Sequence, residues 1–188
     1  MNCIKTINAE YEYGTARFLL LAGLTFTIVF CLSYVFTNFN NSRPNSDENF
    51  LYFLVALLLL YPMHKLIHYI ALFRYKKSIS YKFKIKFTFV PILNMRIKEP
   101  IPKNRYLVAL IAPFIILNPL LLTGAFIWLA SSHYFCLLLA FHCSICLLDL
   151  LYIKGVWRAP KNAIIEETPR GYEILVPQFD NDSSNLSH

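Results

Sequence analysis

Tyr61-Pro62-Met63-His64-Lys65-Leu66-Ile67-His68-Tyr69-Ile70 closes an apolar run that starts near residue 50 and ends near residue 73. At 1.5 Å per residue such a run crosses an apolar layer of about 30 Å. Its only full charge is Lys65. The two histidines are four residues apart, so they share one helix face and both imidazoles can reach one metal ion. Polar side chains at that depth are costly and need a reason.

The surroundings decide between a buried soluble helix and a membrane span. The chain has 188 residues, 56% hydrophobic and 15% charged, which is too apolar for an ordinary soluble domain of this size. Three more runs have spanning length, at about 17–37, 106–130 and 134–153. Pro113 and Pro119 predict a kink or break in the third, and Asn118-Pro119 is its polar interruption. The expected fold is therefore mainly α: a polytopic membrane protein with four transmembrane helices. It forms one membrane domain over residues 1–177, with a disordered polar tail over 178–188.

Ten of the eighteen basic residues lie between Arg74 and Arg105, where Glu99 is the only acid. This excess flanks spans, so it reads as an orientation signal rather than a nucleic-acid surface, and no nucleic-acid partner is expected. The rule places the N-terminus, the basic segment and the C-terminal tail in the cytoplasm. No cleavable signal peptide is expected, because the first apolar run is too long for one and lacks a small-residue cleavage motif. Of the five cysteines, all but Cys3 lie in apolar runs, so no disulfide framework is expected. Cys143 and Cys146 form a C-x-x-C, but inside a span cysteine mostly behaves as a small apolar residue.

Within the basic segment, Tyr81-Lys82-Phe83-Lys84-Ile85-Lys86-Phe87-Thr88-Phe89 alternates apolar and polar residues, the pattern of a half-exposed strand. A turn and a weaker second strand follow, giving a cytoplasmic β-hairpin over about 80–98 beside the inner membrane surface. Residues 162–176 read as strand, Pro-x-Gly turn, strand.

A metal on the His64–His68 face needs a third protein ligand. Asp149 is the only acid inside any span. From the inner ends of their spans His68 lies roughly 9 Å in, His64 roughly 15 Å and Asp149 roughly 7.5 Å. Two imidazoles, a carboxylate and an open fourth position match a catalytic zinc site. His142 and Cys146 share Asp149's stripe, at i−7 and i−3, and either could stand behind the ligands as a supporting partner. The alternative is that the histidines bond only backbone, water or lipid headgroups. Bis-histidine haem ligation needs imidazoles on opposite sides of a porphyrin, which adjacent turns of one helix do not supply. His133 and His188 are expected to be solvent-exposed bystanders.

On these residues the chain resembles a family of small bacterial membrane proteins described as zincin peptidases and known as a domain of unknown function. That family is similar to the site-2 protease group of intramembrane metalloproteases. The resemblance runs over about 15–176. It rests on His64-x-x-x-His68, the strand pair after it, Ala112-Pro113, Leu148-Asp149-Leu150, and the stretches from Arg158 to Ala163 and from Glu166 to Tyr172. It implies zinc held by His64, His68 and Asp149. One position departs from the H-E-x-x-H pattern: Lys65 stands where the family has the glutamate that takes a proton from zinc-bound water. A lysine ammonium cannot do this, although it lies far enough round the helix to point away from a metal. Glu99, Glu166 and Glu167 are the carboxylates that could substitute, and no pattern places them at the site.

Three functions compete. The first is an intramembrane metalloprotease whose membrane-proximal substrate pairs with the 81–89 strand. The second is a non-catalytic pseudo-protease that binds or regulates a membrane partner, favoured by Lys65. The third is an oligomeric proton or cation pathway through His64, His68 and Asp149.

Overall fold

The computed structural model describes residues 2–7, 14–39, 45–73, 79–84, 92–97, 100–168 and 171–176. Four helices carry the fold: α1 (Thr15–Asn38), α2 (Phe50–Ala71), α3 (Lys103–Ile127) and α4 (Ser132–Trp157). All four are long and apolar enough to cross a membrane, α4 together with the 3-10 turn Leu129–Ser131 before it. A continuous helix satisfies its own backbone polar groups, which lipid requires. Leu20, Phe36, Leu58, Ile115 and Trp157 are left on the outside of the helices. Such surfaces suit lipid and not water, and suggest a multi-pass membrane protein.

Of the kink or break expected in the third span, the break is absent. Residues 103–127 form one helix that passes through both Pro113 and Pro119 without a break. Lost hydrogen bonds at a proline can be tolerated where neighbouring helices meet the freed carbonyls. Gly124 lets α3 and α4 approach closely, since a Cβ there would lie 2.5 Å from the Phe135 ring.

The strands are β1 (Asn2–Ile7), β2 (Ile79–Lys84), β3 (Ile92–Ile97), β4 (Ile101–Pro102), β5 (Ile164–Thr168) and β6 (Gly171–Val176). β2 and β3 form the antiparallel hairpin, in register from Ile79↔Ile97 to Lys84↔Ile92. Residues 85–89 of the alternating run lie outside the described residues, as do the 178–188 tail and His188. The expected C-terminal pair is present, with Ile165 opposite Ile174. It is part of a larger antiparallel sheet of order β1-β6-β5-β4, which includes the N-terminal segment. Asn2 pairs with Val176, so both ends of the described chain share one sheet at one end of the helix body.

Two apolar clusters bracket the middle of the body. One joins the sheet to the helices through Ile101, Tyr106, Val156, Ile165 and Tyr172. There the buried Tyr172 hydroxyl donates to the Tyr152 carbonyl at 3.1 Å, which satisfies the one polar atom that its burial would otherwise strand. The other cluster packs Leu60 and Ile67 of α2 against Leu117 and Leu121 of α3 and Leu138 and Leu139 of α4. At the far end of the helices His133 corrects a second expectation. It lies in the first turn of α4 with its side chain only 16% exposed and its Nε2 3.8 Å from Asp47 Oδ1. Tyr134 donates to the same Asp47 oxygen at 3.1 Å, so His133 belongs to a polar cluster closing that end.

Candidate metal centre

α2 turns His64 and His68 inward because they share a face with the core residues Leu60 and Ile67. α4 sets His142, Cys146 and Asp149 on its buried stripe. His64 Nε2 lies 3.1 Å from His68 Nε2 and 3.2 Å from Asp149 Oδ2. His68 Nε2 lies 3.4 Å from the same carboxylate oxygen. The two histidines and the aspartate singled out from spacing and depth thus meet at one point. His64 is buried, while the His68 and Asp149 side chains are 13% and 12% exposed.

One arrangement of the imidazole protons satisfies the hydrogen bonds behind these atoms. His68 Nδ1 is 2.7 Å from the Ala109 carbonyl, which can only accept, so Nδ1 carries the proton and Nε2 a lone pair. His142 Nδ1 is 2.6 Å from Asn118 Oδ1, so that nitrogen also carries its proton. His142 Nε2 is then an acceptor and takes the His64 Nδ1 proton across 3.2 Å. His64 Nε2 is left with a lone pair. The chain Asn118, His142, His64 therefore ends on the same open point as the chain Ala109, His68.

Two nitrogen lone pairs and a carboxylate oxygen now face one another in a poorly solvated interior. Asp149 Oδ2 is buried and has no hydrogen-bond partner among the described residues. Such an oxygen is costly without a cation. A tetrahedral zinc with ligands at roughly 2.0–2.1 Å needs donors roughly 3.3–3.4 Å apart. The three separations of 3.1, 3.2 and 3.4 Å form one face of such a tetrahedron. The donor set fits zinc.

His64, His142 and Cys146 make a second close group, all buried. Cys146 Sγ is 3.6 Å from His142 Nε2 and 3.9 Å from His64 Nδ1. In this group the facing nitrogens already share a proton, so its role is to hold His64. His142 lies against His64 at 3.2 Å, on the helical stripe it shares with Asp149. Cys146 fills the space beside it, and Asn118 holds it. Asn118 and the Ala109 carbonyl are the functional groups that the sequence did not single out. Asn118 had a signal, being a polar residue inside an apolar span at the depth of His142; a backbone carbonyl has none.

Lys65 stands on α2 beside the site, half-buried, with its Nζ 5.9 Å above the Tyr61 ring. That contact keeps the ammonium against an aromatic face.

A family model described as "Putative zincin peptidase" matches residues 57–164, more than half of the chain, and takes in His64, His68 and Asp149. No curated protein and no solved structure matches the chain.

Proposed function

The chain belongs to that zincin-peptidase family, and from this premise we propose that it is a membrane-embedded, metalloprotease-like zinc protein of the site-2 type whose hydrolytic power is weakened at Lys65. The observation that carries the reading is the convergence of His64 Nε2, His68 Nε2 and the unpartnered Asp149 Oδ2 within 3.4 Å of one another. These three residues would hold the metal. Zinc, when bound, supplies a Lewis acid able to polarise a carbonyl and acidify water. His142 and the Ala109 carbonyl keep both rings turned with Nε2 toward it. Lys65 cannot accept a proton while charged, so the general-base contribution of the usual glutamate is missing.

The four apolar helices support the membrane setting, and the positive-inside rule, applied to the basic segment, favours a cytoplasmic side for the sheet, the hairpin and both termini. On this reading the site opens toward the inner leaflet. A membrane-proximal substrate segment, unwound to an extended form, pairs with the β2 strand by strand addition. A second reading is a pseudo-protease that binds a membrane partner without cutting it; the placement of Lys65 over Tyr61 favours it.

Proteoliposomes offered a panel of labelled membrane-segment peptides test both. Slow, zinc-dependent cleavage lost in His64→Ala is the expected result. Zinc-loaded protein that cuts nothing leaves the pseudo-protease reading. Cleavage at rates ordinary for metalloproteases contradicts the role assigned to Lys65.

A further inference from the structure

We propose that Pro113 is a positioning residue of the metal centre: by withholding a backbone N–H, it frees the Ala109 carbonyl that orients His68. The inference rests on the metal-site reading above and adds a residue to it.

In an α-helix the N–H of residue i bonds the carbonyl of residue i−4. Proline has no N–H, and its ring crowds that carbonyl. For Pro113 the carbonyl concerned is that of Ala109. Ala109 is only 2% exposed, so water is not at hand to replace the lost bond. The replacement is His68 Nδ1, at 2.7 Å, reaching across from α2. Pro113 itself is less than 2% exposed and packed at the bundle interior. An alanine or leucine there would restore a backbone N–H that competes with His68 for that carbonyl.

Pro119 is the internal comparison. It withholds a backbone N–H from the same helix in the same way, and the carbonyl it frees belongs to Ile115. The site histidines do not use that group: His142 bonds Asn118 and His64, and His68 bonds Ala109. A role in merely bending α3 would be shared by both prolines. A role in orienting His68 belongs to Pro113 alone.

The test uses the full-length protein with 15N-labelled histidine, first without metal. In wild type His68 is expected to carry its proton on Nδ1. In Pro113→Ala, and in Pro113→Gly, which also restores the N–H, that single tautomer is expected to give way to a mixture. Zinc affinity, measured by competition with a chelator, is expected to fall about 10- to 100-fold, the scale for losing a group that orients a metal-ligating histidine. Pro119→Ala is expected to stay within about threefold of wild type on the same scale. The proposal is overturned if wild-type His68 carries its proton on Nε2. It is equally overturned if the Pro113 variants keep wild-type tautomer and affinity, or if Pro119→Ala weakens zinc as much. Wild type that binds no zinc but shows the Nδ1 proton, lost in the Pro113 variants, contradicts the function while leaving this orientation intact.

Discussion

Lys65→Glu is expected to raise peptide hydrolysis by about 10²- to 10⁴-fold, the usual worth of a general base. The change restores the H-E-x-x-H pattern on a helix whose two histidines already face a common point with Asp149. Nothing else in that helix has to move, since position 65 follows His64 directly and α2 is continuous through it. The native ammonium lies over the Tyr61 ring, so its removal costs only one cation–π contact, about 0.5–1 kcal/mol where exposed. Turnover of a fluorogenic membrane peptide by zinc-loaded wild type and Lys65→Glu measures the effect directly. A zinc-loaded variant no faster than wild type would mean that position 65 does not reach the reacting atoms, and the family's chemistry would not transfer to this site.

Zinc is expected to stabilise the wild-type fold and to leave Asp149→Asn almost unmoved. A ligand that binds only the folded state contributes about 2.7 kcal/mol when present at 100 times its dissociation constant. Asp149 supplies the one carboxylate in the three-donor set and the only anionic charge opposite two neutral imidazoles. An amide in its place keeps the shape but weakens the site severely. Without metal the order is expected to reverse. The wild type then holds a buried carboxylate oxygen with no hydrogen bond among the described residues, and Asp149→Asn removes that charge. The metal-free variant should therefore melt no lower than metal-free wild type. Thermal unfolding in detergent with and without added zinc separates the two effects. Equal zinc-induced shifts in both proteins would place the metal elsewhere.

The helices were legible because apolar runs of spanning length have one physical solution in lipid. Their ends were less so: α4 continues to Trp157, past the expected end near 153, because its last turns pack Val156 against the sheet rather than entering water. That His64, His68 and Asp149 come together could be read from three facts of position, a shared helix face and two matching depths. Of the kink or break expected at Pro113 and Pro119, the break does not occur, since a local rule about proline does not register what a neighbouring helix offers a freed carbonyl. β1 escaped notice for a similar reason. Asn2–Ile7 is short, and what makes it a strand is the edge of β6, more than 160 residues away in the chain. His133 looked like a loop histidine because its partner, Asp47, lies across the helix ends. Local periodicity finds elements and faces; long-range hydrogen bonds fix what those faces do.

Elemental analysis of wild type beside the His64→Ala, His68→Ala double variant, both purified without chelators and with zinc supplied, tests the central claim most directly. The three converging donors predict about one zinc per chain in wild type and none in the variant. Wild type that emerges metal-free, or a variant that retains as much zinc as wild type, would contradict the account.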